Sequence, residues 1–427
     1  MKEKFLHFIW RFQLFHNFPL HTTDGSTVSI EEKGLWNKLD SGPDFSMAKI
    51  KIQNQTWVGN VEIHVRSSDW DLHKHSSDKN YENVILHVVF EHDREIDFLQ
   101  SRHIKTLELK HFIPEEIISN YARLLEAGQN FIPCEKSIHL IREESVKFWL
   151  ERLVIERLER KTNEIEREFA VSNKNWEELL FKKMAYAFGL KINAESFADW
   201  ANSFDFKTLN KILTNPDYVY ALFFGQARFL ETESQDEYVL TLKKNYSFLE
   251  SKFGLKPMEK NIFKFFRLRP VSFPTVRMMQ LATLYAHYQN VFMFLMSTED
   301  LKKIRQVFHD LVYPEFWKNH FILEKESPVK FEKIISDEII DRIIINVILP
   351  IKYVYAKQRG VDVSETLLDW LRQLPAEKNT VIREFSKLGL KAENAFESQA
   401  YLELKRHFCN EKKCLNCALG LQILKNV

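Results

Sequence analysis

Asp44 in the run Gly42-Pro43-Asp44-Phe45 and Glu62 in the run Gly59-Asn60-Val61-Glu62-Ile63-His64-Val65 are the residues best placed for chemistry. Asp44 falls at a predicted β-turn. Glu62 falls in the middle of an apolar run, and a tight hairpin joins the two. Carboxylates on adjacent strands suit a hard divalent cation such as Mg²⁺ or Mn²⁺. Such an ion can activate water for phosphodiester hydrolysis. The backbone carbonyl of Ile63 offers a third ligand. His64 can position the attacking water as a neutral base, because an imidazole titrates near the operating pH.

Histidines gather just beyond this pair: His64, His73, His75, His87 and His92, with Asp69, Asp71 and Asp78 among them. Imidazole and carboxylate also suit zinc, so His73 and His75 after Asp69 offer a zinc hydrolase site as a rival arrangement. No His-Glu-x-x-His string is present. His73 and His75 are otherwise expected on a polar loop or helix lining the cleft of Glu62, where they would contact substrate. His87 is expected to be a satisfied core histidine.

The four cysteines fall in two places. Cys134 follows Pro133, and Cys409, Cys414 and Cys417 form C-x4-C-x2-C near the end of the chain. Together they supply four thiolates, enough for a tetrahedral Zn²⁺ or an iron–sulfur cluster. A further segment is basic: Lys256, Lys260, Lys264, Arg267, Arg269 and Arg277, with Glu259 its one acid and Phe263, Phe265, Phe266 and Phe273 interleaved. Arg267, Arg269 and Arg277 then stand at the start of a helix predicted from Thr275, a natural phosphate site. Cations among aromatics also suit single-stranded nucleic acid. The competing reading is a solvated charged face over buried Phe. Lys405, Arg406, Lys412 and Lys413 form a second basic patch beside the cysteines.

The elements that would position these groups follow from periodicity. Residues 3–16 read as an amphipathic, aromatic-rich helix. Asp24-Gly25 is a hairpin turn pair, with Val28 and Ile30 alternating as in a strand. Residues 48–52 alternate with period two, Gln53-Asn54-Gln55 turns the chain, and 57–65 is the next strand. Ser67-Ser68-Asp69-Trp70 reads as a helix start. The run from Val84 to Phe90 has the continuous β-branched character of a buried central strand. Residues 105–109 offer one more strand. Beyond residue 115 the pattern is helical, as in the three- and four-residue apolar spacing of 144–169.

Composition bounds the rest. The chain has 427 residues, 35 of them Phe, and 11 Gly and 12 Pro argue against a turn-rich all-β fold. The formal charge of +1 provides no global attraction for nucleic acid, so any such contact must be a local patch. No secretory signal or transmembrane helix is expected, the cysteines are expected reduced or metal-bound, and the cytoplasm is the expected location.

The order helix, strand, strand, strand, helix, strand over residues 1–110, with Asp44 and Glu62 on it, resembles the PD-(D/E)xK nuclease superfamily. His64 stands where that pattern has Lys. The resemblance implies a restriction-endonuclease-like α/β core. The cysteines are similar to those of iron–sulfur nucleases of CRISPR adaptation and bacterial helicase–nuclease complexes. Here, however, Cys134 follows the Asp/Glu pair and the terminal spacing differs. The chain as a whole resembles a bacterial family of unknown function through GPDF, GNVEIHVRSSDW, NVILHVV, RLRPVSFPTVR and CLNCALG. The expected organisation is α+β. A PD-(D/E)xK-like α/β core spans 1–115, a joint 116–140, and a large helical domain with a C-terminal cysteine metal site 141–427. The leading expectation is a metal-dependent nuclease-like protein acting on DNA or RNA, with Asp44, Glu62 and His64 catalytic. A non-catalytic nucleic-acid or protein-binding scaffold and a zinc hydrolase are the alternatives.

Overall fold

The computed structural model describes residues 2–16, 19–37, 41–126, 130–172, 174–258, 263–328 and 330–425. Lys260 and Glu259 of the basic segment lie outside them. The chain divides into two units. The first comprises residues 1–150, 387–389 and 402–427, and the second 151–386 and 390–401. The first unit therefore runs past the expected joint and takes back the terminal cysteine segment.

A mixed sheet organises the first unit. Its strands are β1 (Leu20–His21), β2 (Thr27–Glu32), β3 (Leu35–Trp36), β4 (Phe45–Ile52), β5 (Gln55–Arg66), β6 (Val84–Glu91) and β7 (Lys105–Glu108). The order is β1-β2-β4-β5-β6-β7, with β3 paired to β4. From β1 to β5 the pairings are antiparallel, and β5, β6 and β7 are parallel. Period-two patterning explains β4, where Ala48, Ile50 and Ile52 are buried between Lys49 and Lys51. A bulge between Phe45 and Ala48, with Met47 at φ 56°, bends the start of that strand beside Asp44. Gln53, at φ 54°, turns the chain into β5.

Parallel strands need crossovers, and these carry helices. Helix α1 (Glu3–Phe12) packs on β5 through buried Phe5, Phe8 and Ile9. Helix α2 (Asp69–Leu72) is a single turn on the crossover from β5 to β6, and α3 (Asp97–Ser101) lies between β6 and β7. Covered in this way, β5 buries four consecutive residues, Val61, Glu62, Ile63 and His64. Helix α4 (Glu115–Glu126) closes the core, Tyr121 stacking on Phe5 at 3.9 Å.

The second unit is helical. Its centre is aromatic, with Phe181 packed against Trp200, Phe223 and Tyr285. The helix Pro274–His287 is buried at every position from Pro274 to Tyr285, the signature of a central helix. Among the described residues, no helix is long and apolar enough to cross a membrane.

Candidate functional site

Strand alternation puts Glu62 and His64 on one face of β5. The crossover after β5 then brings two more imidazoles to the same place. Ser68 donates its N–H (2.9 Å) and Oγ–H (2.7 Å) to the Asp93 carboxylate, fixing the start of α2. One helical turn later His73 leaves the helix. Lys74 adopts a left-handed φ of 60°, which reverses the chain and returns His75 toward β5. Trp70 is wholly buried beneath this loop, donates to Ser76 Oγ at 3.1 Å, and meets the rings of His75 and His87 edge-on. Tyr81 stacks on His75 at 3.8 Å.

The result is a knot of donors. His64 Nε2 lies 3.2 Å from His73 Nδ1 and 3.3 Å from His75 Nε2. Ligand atoms of these three residues all fall within 4.8 Å of one another. Glu62 Oε1 is 3.3 Å from His75 Nε2 and 3.6 Å from His64 Nε2. An ion bonded to imidazole nitrogens at about 2.0–2.1 Å in a tetrahedron sets its donors about 3.3–3.4 Å apart. The two spacings from His64 Nε2 match that edge length. His64, His73 and His75 therefore fit a zinc-type ion, with Glu62 adjoining two of the three nitrogens.

Asp44 sits beside this set. Its Oδ2 accepts the Ile63 N–H at 2.9 Å and lies 3.2 Å from His7 Nε2, while its own N–H donates to Glu62 Oε2 at 3.1 Å. The two expected carboxylates are thus neighbours joined through backbone. Glu62 Oε2 is held by that N–H, and Oε1 faces the histidines.

Burial sets the electrostatics. Glu62 is 5% exposed, and burial followed by the Asp44 charge pushes its carboxyl up to about 9. Burial, then the neighbouring imidazoles, pushes His64 down to about 2. Burial lowers His75 as well and takes His87 down to about 3. These imidazoles are neutral at pH 7, the protonation state that binds metal. Burial opposes charge on His7, but the Asp44 and Glu3 carboxylates outweigh it and leave its pKa raised.

His64 Nδ1 contacts His87 Nε2 at 2.9 Å. Both ring nitrogens of His64 are therefore engaged, a metal-ligand arrangement more than that of a free base. His87 was expected as a satisfied core residue. It is fully buried, but only Nε2 has a partner and Nδ1 has none. Sequence reading missed His7 and Glu3, which reach the site from α1. Their i, i+4 spacing on an amphipathic helix was the available signal.

The other candidates are not among these donors. Arg277 was expected to hold phosphate, but it is 5% exposed and donates to Gln280 Oε1 at 2.8 Å inside the second unit. Arg267 and Arg269 are exposed, Arg267 over the Phe266 ring. Cys134, Cys409, Cys414 and Cys417 all belong to the first unit, Cys134 and Cys414 packing on its main core. A groove of about 1280 Å³ runs along the other end of the sheet, past Asp24, Met47, Trp57, Ile85 and Lys105, and contains none of the imidazole donors.

No curated protein and no solved structure matches the chain. A family model described as a protein of unknown function, DUF2851, matches residues 3–380, which include every donor of the imidazole knot and stop short of the three terminal cysteines. The chain belongs to this family.

Proposed function

We propose that the chain is a metal-dependent hydrolase whose ion is held by His64, His73 and His75, with nucleic-acid phosphodiesters as the substrate class. The convergence of three imidazoles, with His73 and His75 at tetrahedral edge distances from His64, carries this reading. Three protein ligands leave a coordination position for water, the pattern of catalytic zinc, and a bound cation lowers the pKa of that water. Glu62 Oε1 stands beside two of the ligand nitrogens, where it can take the water's proton. The nearby cation also reverses the upward pressure on the Glu62 carboxyl. Metal on His64 Nε2 requires the ring proton on Nδ1, and His87 Nε2 stands 2.9 Å away to accept it.

The substrate class rests on the order of elements around the carboxylate pair, which resembles that of PD-(D/E)xK nucleases. A second reading places Mg²⁺ or Mn²⁺ at Asp44 and Glu62, and the 3.1 Å bond that joins these residues favours it. One experiment separates the two. Wild type, His73→Ala and Asp44→Ala are assayed for bound metal and for cleavage of single- and double-stranded DNA and RNA. His73 is exposed, so its loss spares the core. The imidazole reading expects about one zinc-type ion per wild-type chain, with both ion and cleavage lost in His73→Ala. Full activity in His73→Ala with Mg²⁺, abolished by Asp44→Ala, would establish the carboxylate site instead. No cleavage and no metal in wild type would leave the non-catalytic scaffold.

A further inference from the structure

We propose that the turn at 265–268 in the second unit is a contact for single-stranded nucleic acid, with Phe266 stacking on a base and Lys264, Arg267 and Arg269 holding the flanking phosphates. Residues 263–273 carry three cations, four phenylalanines and no acid. A solvated charged face over buried rings would turn every phenylalanine inward. Three of them do turn inward: Phe263 meets Phe197 edge-on at 5.4 Å, and Phe265 meets Phe273 edge-on at 5.2 Å. Phe266 does not. It is 80% exposed, and Lys264, Arg267 and Arg269 are exposed with it. The Arg267 guanidinium lies over the Phe266 ring, 5.1 Å from its centroid. A projecting ring among cations offers an unpaired base a face to stack on and its phosphates a counter-charge.

The turn is pinned from beneath. The Asn193 side chain, 2% exposed, donates to the Lys264 carbonyl at 2.9 Å and accepts the Lys264 N–H at 2.8 Å. The Leu268 N–H closes the turn on the Phe265 carbonyl at 3.2 Å. Arg267 takes the second corner at φ 62°, a left-handed conformation that favours glycine. An arginine held there against its backbone preference points to a use for the side chain itself. A contact set in place before binding loses little freedom when it binds.

The rings select nucleic acid over a lipid surface. Membrane attachment draws on a broad apolar face, whereas here one ring projects and its neighbours in the segment pack inward. The contact rests on the nucleic-acid reading above for its partner, and it needs no bound ion.

Binding of labelled oligo-deoxythymidine and oligo-uridine to the full chain is measured by fluorescence anisotropy in chelator, where hydrolysis plays no part. A duplex of equal length and anionic vesicles are the comparisons. Wild type is expected to prefer the single strands. Phe266→Ala spares the core and should weaken their binding about 5- to 150-fold, while Phe266→Trp keeps it. Arg267→Gly suits the left-handed turn, so the fold is retained, and it should lower the slope of log K against log salt by about 0.7. Single-strand affinity unchanged in Phe266→Ala and Arg267→Gly, no binding by wild type, or attachment to vesicles in place of oligonucleotides would overturn the proposal. Binding that these variants lose, in a chain that cleaves no nucleic acid, would refute the hydrolase and support this surface. Cleavage with binding unaffected by the variants would do the reverse.

Discussion

Glu62→Gln is expected to stabilise the metal-free protein above acid pH and to weaken it as a metal host. The Glu62 carboxyl moves from 4.5 to about 9 on folding, through burial first and Asp44 second. A raised folded value means that the folded state holds the proton more tightly. The associated stability is complete below the unfolded value and is lost as pH rises toward the folded one. Between these limits the loss is about 1.4 kcal/mol per pH unit. At pH 7, about 2.5 units above the unfolded value, it amounts to about 3 kcal/mol. Gln has the same size and no charge, so the variant lacks this loss. His64 and His87 move the opposite way, and their contribution is lost as pH falls below the unfolded imidazole value. They are unchanged in the variant and cancel in the difference. In chelator, thermal melts of the two proteins should coincide near pH 4.5 and separate by about 6–12 °C at pH 7. Zinc should reverse the order, because it stabilises an ionised Glu62 beside it. Parallel melting curves across this pH range, or equal gains from zinc, would refute the electrostatic account of the site.

Two further perturbations test the scaffold. Gly59→Ala places a Cβ 2.5 Å from Ile85 Cγ2 and 2.6 Å from the Asn83 oxygen, forcing β5 from β6, and should cost about 1–3 kcal/mol in a denaturant titration. In the second unit, buried Lys352 donates to the Met296 and Thr298 carbonyls at 2.6 and 2.8 Å, at the C-terminal end of the helix Val291–Ser297. Lys352→Met keeps the stem, strips those carbonyls of their donor, and should cost about 2–3 kcal/mol by the same measurement.

The β elements were legible because each carries a local signal. Asp24-Gly25 places its turn with Gly25 at φ 84°, and the run from Val84 has the continuous apolar character that a strand covered on both faces requires. Glu62 and His64 are two apart on a strand, which puts them on one face. The remainder of the site was not local. Lys74 reverses the chain in a left-handed conformation that nothing in its side chain favours, so the meeting of His73 and His75 with His64 had no sequence signature. His7 arrives only because α1 lies across β5. Arg277 carries the charge of a surface contact but sits on a helix buried all round. The return of residues 402–427 to the first unit is decided by tertiary packing, which no periodicity reports.

That return has a mechanical consequence. The second unit lies wholly between residues 151 and 401, so within the connectivity of the first unit it is a long insertion interrupted only at residues 387–389. Holding the ends of such a loop together costs about 5 kcal/mol of chain entropy for a span near 275 residues. The terminal segment offsets that cost by burial: Leu404, Leu419 and Ile423 are each 2% exposed, and Leu424, wholly buried, belongs to the sheet core. Leu424→Ala, which removes a wholly buried side chain of that core, should cost about 2–5 kcal/mol and open the segment after residue 402 to limited proteolysis, while zinc uptake by the proposed His64 site, built from residues 3 to 87, is unchanged. Loss of zinc uptake together with that opening would show that the terminal segment is integral to the sheet core.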